Sequence, residues 1–287
     1  MEEAISQLID MALAEDIGAG DVTSTYFVPE DRTSRAFINA REEGVIAGTA
    51  VAAEIFRRVS KEVEVRVLLE DGAQVSNGAL VIEVSGPSRA ILTAERTALN
   101  FMQRLSGVAT LTSRFVELVK GTSAEILDTR KTTPGWRLLE KRAVVAGGGT
   151  NHRMGLYDRA MVKDNHLVAE GKLESLQEAI ERLKTEKPEV GVELEADRLD
   201  QVSEFLTLKG VDYILLDNMS LAELREAVAM CEGNIPALEA SGGVNLSTVQ
   251  AIAETGVDFV SVGAVTHSAV GLDLGLDFVE ETSGQSR

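Results

Sequence analysis

Cysteine occurs once in the 287 residues, at Cys231. One thiol rules out an intramolecular disulfide framework and a cysteine-ligated zinc site, so Cys231 reads as a reduced, buried core thiol. Histidine is also scarce. His152, His166 and His267 form no HxH or HExxH arrangement, which removes the usual zinc motifs. No apolar run approaches the ~20 residues that a bilayer-spanning helix needs. The opening residues, MEEAISQLIDMALAED, are amphipathic and acidic, unlike a signal or transit peptide, and a cytoplasmic location is the expectation. Positive charge is in deficit, with 28 Lys and Arg against 46 Asp and Glu and a formal net charge of −18. A chain this acidic is repelled by phosphate backbones, which argues against general nucleic-acid binding.

What is present is apolar patterning. Hydrophobic residues make up 44% of the chain, enough for one large domain or two smaller ones. Residues 1–108 read as mixed α and β. Ile5, Leu8, Ile9, Met11 and Leu13 mark an opening helix, and Gly20 to Ser24 a turn. Ala36–Ala40, Val45–Gly48, Val63–Leu69 and Leu80–Val84 read as strands, and Ile91 to Leu105 as a long helix. Asp71-Gly72 and Asn77-Gly78 are turn signals. From about Thr110 strands alternate with helices, at Ile126–Arg130, Ala160–Lys163, Val190–Glu195, Tyr213–Asp217, Ala237–Ala240 and Phe259–Val262. That alternation indicates a parallel α/β sheet or barrel. The strand ends read DTRK, VKDNH, ELE, LLDN, EASGG and SVGA, and a parallel barrel places its chemistry at that face.

The scarce cations are concentrated. Arg130, Lys131, Arg137, Lys141, Arg142, Arg153, Arg159 and Lys163, with His152 and His166, fall between Asp128 and His166. Such a patch suits a small, multiply anionic ligand. Ser241-Gly242-Gly243 and Gly263 follow the last two strands, where glycine lets a backbone approach a phosphate. Gly147-Gly148-Gly149 lacks the GxxxxGK[ST] spacing and reads as a flexible loop that brings Asn151, His152 and Arg153 to a ligand. Lys131 and Lys163 end neighbouring strands. They serve either to stabilise developing negative charge or to form a Schiff base. Glu193, Glu195 and Asp217 are suited to ribose hydroxyls, to Mg²⁺ through water, to a cationic transition state, or to an ion pair with a pocket lysine. Glu193 and Glu195 share strand parity, and so one side of the sheet. His152 reads as a donor to an anionic substrate, His166 as structural, and His267 as satisfying a local backbone group. Arg96 and Arg104 lie on the helix before the α/β region. There they are either surface residues or reach a neighbouring subunit.

The motifs DTRKTTPG, GGGTNHR, VKDNH, ELEADRLDQ, LLDNM, ASGGVNLS and SVGAVTHSA occur in order. With AEDIGAGDVTS and AERTALNFMQRLSGVAT they resemble the quinolinate phosphoribosyltransferase family from Ala14 to about Asp273. The resemblance implies an N-terminal α/β sandwich-like domain over residues 1–108 and an open, six-stranded parallel α/β barrel over 109–266. A segment at 267–287 would pack back on the first domain. It implies transfer of phosphoribose from 5-phosphoribosyl 1-pyrophosphate to quinolinate with Mg²⁺. The products are nicotinate mononucleotide, pyrophosphate and CO₂, the step that feeds NAD synthesis. It implies homodimers with shared active sites, sometimes hexamers. By the same resemblance Arg130, His152 and Arg153 hold the quinolinate carboxylates, and Arg96 comes from the partner subunit. Lys131 and Lys163 lie at the reacting centre. Glu195 and Asp217 face ribose and metal, and Ser241, Gly242, Gly243 and Gly263 cradle the 5′-phosphate. A paralogue linked to molybdenum transport, a nicotinate phosphoribosyltransferase and a non-catalytic binding protein are the competing readings.

Overall fold

A computed structural model describes residues 2–163, 173–231 and 236–279. His166 lies outside the described residues. The chain divides into two compact units. The first comprises Met1–Leu111, Pro134–Gly148 and Ala269–Arg287, and the second Thr112–Thr133 and Gly149–Ser268.

The first unit opens with α1 (Glu3–Ile17), which buries Ile5 and Ile9. The GDVTS segment is not a bare turn. Asp21 accepts from the Ser24 backbone N–H at 2.9 Å and caps α2 (Val22–Phe27), a short helix in place of the expected turn. Strands β1 (Thr33–Ala40), β3 (Glu64–Val67) and β5 (Leu80–Pro87) form an antiparallel sheet with the last strand, β12 (Leu274–Phe278), in the order β12-β1-β5-β3. Alternation buries Ala36, Ile38 and Ala40 on one face of β1. The short strands β2 (Gly44–Val45) and β4 (Gln74–Val75) pair separately, and α3 (Thr49–Val59) lies between β2 and β3 in sequence.

The long helix α4 (Ser88–Val119) runs without a break across the expected boundary at 108/109. Ile91, Ala94, Ala98, Met102, Leu105 and Ala109 are buried at three- and four-residue spacing, which defines its inward face. The segment carrying α5 (Arg137–Ala146) groups with the first unit, not with the barrel. Two contacts explain it: the Trp136 ring stacks on Phe101 with centroids 4.5 Å apart, and Arg104 pairs with the fully buried Glu140 at 2.7 Å. Arg104 is therefore structural within its own unit.

The second unit holds six parallel strands. These are β6 (Glu125–Leu127), β7 (Arg159–Val162), β8 (Gly191–Ala196), β9 (Tyr213–Asp217), β10 (Ala237–Ser241) and β11 (Phe259–Ser261). Besides α5, which falls between β6 and β7 in sequence, the described helices between them are α6 (Leu173–Glu186), α7 (Leu199–Phe205), α8 (Leu221–Met230) and α9 (Val249–Ala253), and α10 (Ala264–His267) follows β11. Sheet order is β6-β11-β10-β9-β8-β7. Neighbours in sequence are neighbours in the sheet except β6 and β7, which form its two edges, and that gap makes the barrel open. Thr150 partly fills it by a parallel bridge to Leu127. The 147–149 glycines do more than loosen a loop: Gly147 caps α5, and Gly148 takes φ +86°. Cys231 is half-buried, and its thiol donates to the Pro236 carbonyl at 3.0 Å.

Candidate active site

Strand geometry alone assembles the site. Side chains two residues apart face the same way, so each barrel strand sends one residue into the interior and the next-but-one to the mouth. The pairs are Met161 and Lys163, Glu193 and Glu195, Leu215 and Asp217, Glu239 and Ser241, and Ser261 and Gly263. All but Glu193 line one cavity of about 750 Å³. Arg130, Lys131, His152 and Arg153 complete its cationic lining.

Not all of the cationic segment converges there. Arg137, Lys141 and Arg142 belong to α5: Lys141 is buried, and Arg142 pairs with Glu2 at 2.9 Å. Arg96 is exposed on α4 and is not among the cavity residues. Lys131 is fixed at its backbone, where Thr266 donates to its carbonyl at 2.8 Å and its N–H donates to Thr129 Oγ1 at 3.0 Å. Arg153 donates to the Arg159 carbonyl at 3.0 Å. Burial and then the neighbouring Arg130 lower its pKa, outweighing the opposite pull of Glu193 and Asp158.

The acidic residues divide by depth. Glu195 accepts a hydrogen bond from Lys163 across the β7–β8 strand ends. Asp217, half-buried at the end of β9, accepts from Asn218 Nδ2 at 2.7 Å. Two carboxylates at the mouth suit a hard, oxygen-preferring cation such as Mg²⁺, and Asp217 carries less opposing charge than the lysine-bound Glu195.

Deeper lie Glu193 and Glu239, both 0% exposed. His152 Nε2 is 3.3 Å from Glu193 Oε2 and 3.2 Å from Glu239 Oε2. Ser261 donates to Glu239 Oε1 at 2.5 Å. The three side chains bring potential ligand atoms within 4.8 Å of one another. The Arg159 guanidinium stands 3.7 Å from Glu193 and 3.9 Å from Glu239, however, and supplies the counter-charge that a metal ion would otherwise bring. Burial pushes the Glu193 carboxyl up. Burial also acts upward on Glu239, but the hydrogen bonds from His152 and Ser261 bring its carboxyl below the usual range. Burial disfavours charge on His152 while the two glutamates favour it, and they prevail. Against their pull, the Arg153 N–H points at Nδ1 at 2.7 Å, a bond open only to a bare nitrogen. Both ring nitrogens of His152 face protein partners, and the residue also lines the cavity.

The glycine turns are sterically required. Gly242 has φ +100°, and a Cβ there would lie 2.2 Å from Asn218 Oδ1. Gly243 has φ +62° with open space around it. A Cβ on Gly263 would sit 3.0 Å from Lys131 Cδ and 3.2 Å from the His267 ring. The His267 Nδ1 contacts the Ser268 hydroxyl at 2.7 Å, a side chain and not the expected backbone group, and the ring lines the cavity. Glu239, Ser261 and Asn218 went unread. Period-two spacing from Ser241 and Gly263 was the available signal for the first two.

The domain family described as "Quinolinate phosphoribosyl transferase, C-terminal domain" matches residues 108–277, and the corresponding N-terminal domain matches 21–106. The chain belongs to the quinolinate phosphoribosyltransferase family. A nicotinate-nucleotide pyrophosphorylase (carboxylating) of Mycobacterium leprae is 42% identical over 280 residues, covering 96% of this chain and 97% of that one. A mitochondrial quinolinate phosphoribosyltransferase (decarboxylating) of Nicotiana tabacum is 42% identical over 288 residues, covering 95% and 81%. Among solved structures, the nicotinate-nucleotide pyrophosphorylase of Francisella tularensis superposes with a TM-score of 0.89 at 39% identity, covering 96% of each chain.

Proposed function

We propose that this chain transfers phosphoribose from 5-phosphoribosyl 1-pyrophosphate to quinolinate and releases CO₂, giving nicotinate mononucleotide for NAD synthesis. The observation that carries the reading is the cavity itself, in which Arg130, Lys131, Arg153 and Lys163 meet the Ser241-Gly242-Gly243 turn and Gly263 at one end of a parallel barrel. A dicarboxylate and a phosphorylated sugar pyrophosphate together need that many cations.

Arg130 and Arg153 offer forked donors to the two quinolinate carboxylates. Backbone at Gly242, Gly243 and Gly263 approaches the 5′-phosphate, with Ser241 beside it. Lys131 and Lys163 stabilise the charge that grows as the anomeric C–O bond breaks and its electron pair departs with pyrophosphate. Glu195 and Asp217 face the ribose hydroxyls and the positive charge of the oxocarbenium-like ribose. The pyridine nitrogen bonds to the anomeric carbon and becomes a pyridinium. The bond from C2 to its carboxylate then breaks, CO₂ leaves, the electron pair stays on C2, and that pair takes a proton from solvent to form the C2–H bond. The pyridinium is the electron sink, so no organic cofactor enters. Asp217 and Glu195 are the residues to hold Mg²⁺, whose chemistry here is neutralisation of the leaving pyrophosphate.

The exposed Arg96 is read as serving the partner subunit's site, which makes the working unit a homodimer or a hexamer built from dimers. No described helix is long and apolar enough to cross a membrane.

The test compares quinolinate with nicotinate in the presence of 5-phosphoribosyl 1-pyrophosphate and Mg²⁺. Equal release of pyrophosphate and CO₂ with quinolinate alone is the expected result. Pyrophosphate release with nicotinate alone would make the protein a monocarboxylate transferase. Lys131→Ala should lower turnover by about 10²–10³ with the fold intact.

A further inference from the structure

His152 sits among competing demands: the Arg153 N–H points at Nδ1, while Nε2 faces two carboxyls and, farther off at 3.5 Å, the Arg159 guanidinium. Nδ1 accepts the Arg153 N–H at 2.7 Å and so carries no proton. Nε2 faces the Glu239 and Glu193 carboxyls at 3.2 and 3.3 Å and so carries one. The His152 N–H is fixed in turn by the buried Asp128 at 2.9 Å, which holds the peptide while leaving the ring orientation to the side-chain partners. Of the two glutamates, Glu239 lines the cavity and is anchored on its far oxygen by Ser261 at 2.5 Å. Glu239 Oε2 and both Glu193 oxygens lack a hydrogen bond of good geometry among the described residues, so the Ser261 anchor and the place in the cavity wall are what set Glu239 apart.

We propose that Glu239, anchored by Ser261, is a positioning residue for substrate binding. It fixes the proton of His152 on Nε2, leaves Nδ1 bare for the Arg153 N–H, and thereby sets the peptide from which the Arg153 guanidinium reaches the substrate carboxylate. The chain of bonds runs from β11 (Ser261 hydroxyl) through β10 (Glu239) and the His152 ring to the Arg153 backbone. This is the logic by which a buried carboxylate selects a histidine tautomer and aims what lies beyond it. Glu239 touches no reacting atom in this scheme. Its effect falls on the group that holds the acceptor substrate and not on the phosphoribosyl donor.

The inference rests on the quinolinate reading for its kinetic arm, and a second arm is independent of activity. Only three histidines are present, so ¹⁵N-histidine labelling of the full chain, with His152→Gln for assignment, reports the tautomer directly. Against the downward effect of burial, the two glutamates push the His152 pKa up to about 9, while the Arg153 N–H excludes a proton from Nδ1. The second effect should win in the wild type, with a protonated Nε2 and a bare Nδ1 at neutral pH. Glu239→Ala should give a mixture of tautomers and raise the KM for quinolinate about tenfold or more, with the KM for 5-phosphoribosyl 1-pyrophosphate changed by less than about twofold. Glu239→Gln keeps an oxygen for Nε2–H and an amide for Ser261. It should restore both the tautomer and the KM to within about threefold of wild type. Ser261→Ala decides the matter if Glu239→Ala does not fold: a smaller rise of roughly two- to fivefold in the same KM is expected. An imidazolium or a protonated Nδ1 in the wild type overturns the proposal. So does an unchanged quinolinate KM in whichever of these variants folds, or equal rises in both KM values. If the wild type turns over no quinolinate, the function assignment fails while the tautomer measurement still stands.

Discussion

The side-chain oxygen of Asn218 occupies the space into which a Cβ on Gly242 would project, 2.2 Å away. Asn218 is itself held there, because its N–H donates to the Ser241 carbonyl at 2.9 Å and it takes φ 56°, the one described non-glycine residue with positive φ. The ends of β9 and β10 are therefore locked together at the turn assigned to phosphate.

Gly242→Ala must displace Asn218 or the turn, whereas Gly243→Ala meets nothing within 4 Å and incurs only the left-handed backbone strain of about 1–2 kcal/mol. We expect Gly242→Ala to raise the KM for 5-phosphoribosyl 1-pyrophosphate by at least about 10²-fold. Gly243→Ala should change it several-fold less. Steady-state kinetics on the two variants tests the order, and equal effects would mean that backbone strain, not the Asn218 contact, sets the requirement for glycine.

The Arg104–Glu140 pair makes a separate prediction about stability. Glu140 is wholly buried, so Arg104→Ala leaves a carboxylate without its guanidinium. Breaking such a pair on one side costs on the order of 3 kcal/mol. Denaturant unfolding should show that loss in Arg104→Ala. A change below about 1 kcal/mol would show that the other contacts of α5, Trp136 on Phe101 among them, suffice to hold it.

Asp21 carries a pH-dependent contribution. The Ser24 hydroxyl and then the Ser24 N–H hold its carboxyl below the usual carboxylate range. Folding is therefore stabilised while Asp21 is ionised, fully so above its unfolded pKa, and that stability is lost as pH falls through its lower folded pKa. Asp21→Ala should cost about 1 kcal/mol at neutral pH through the lost cap. Asp21→Asn should keep most of the cap and remove this part of the acid dependence. Thermal melts at neutral and acidic pH distinguish the two.

Which features the sequence made legible follows from burial. The barrel strands carry runs of apolar residues buried on both faces, and β9 was expected at Tyr213–Asp217 and is found there. The misreadings have local causes. The α4 helix was expected over Ile91–Leu105 and runs on through Ser106-Gly107 to Val119. Gly107 is needed for packing, since a Cβ there would lie 2.1 Å from the Val270 carbonyl oxygen. The α5 segment carries Glu140 and Lys141, which composition places on a surface and the fold buries. Strand β12 went unread because it is an edge strand whose pairing partner, β1, lies far away in sequence. The strand-end residues were readable as site candidates. The pairing of His152 with Glu239 was not, because the two residues lie far apart in sequence and meet only once the strands are curled into the barrel.

Lys163 and Glu195 test whether two mouth residues act as one. Their side chains are 43% and 16% exposed and joined by a hydrogen bond across neighbouring strand ends. Removing Lys163 takes away a positive charge at the leaving pyrophosphate and also leaves Glu195 without its counter-charge. Removing Glu195 takes away one of the contacts that hold Lys163. Each single alanine variant should lower kcat/KM by about 10²–10³. The double variant should lose far less than the product of the two, because residues that work as a unit are strongly non-additive. A complete double-mutant cycle in kcat/KM measures the coupling. Multiplicative losses would mean that the lysine and the glutamate serve different parts of the substrate, and that their bond in the free enzyme is broken before chemistry begins.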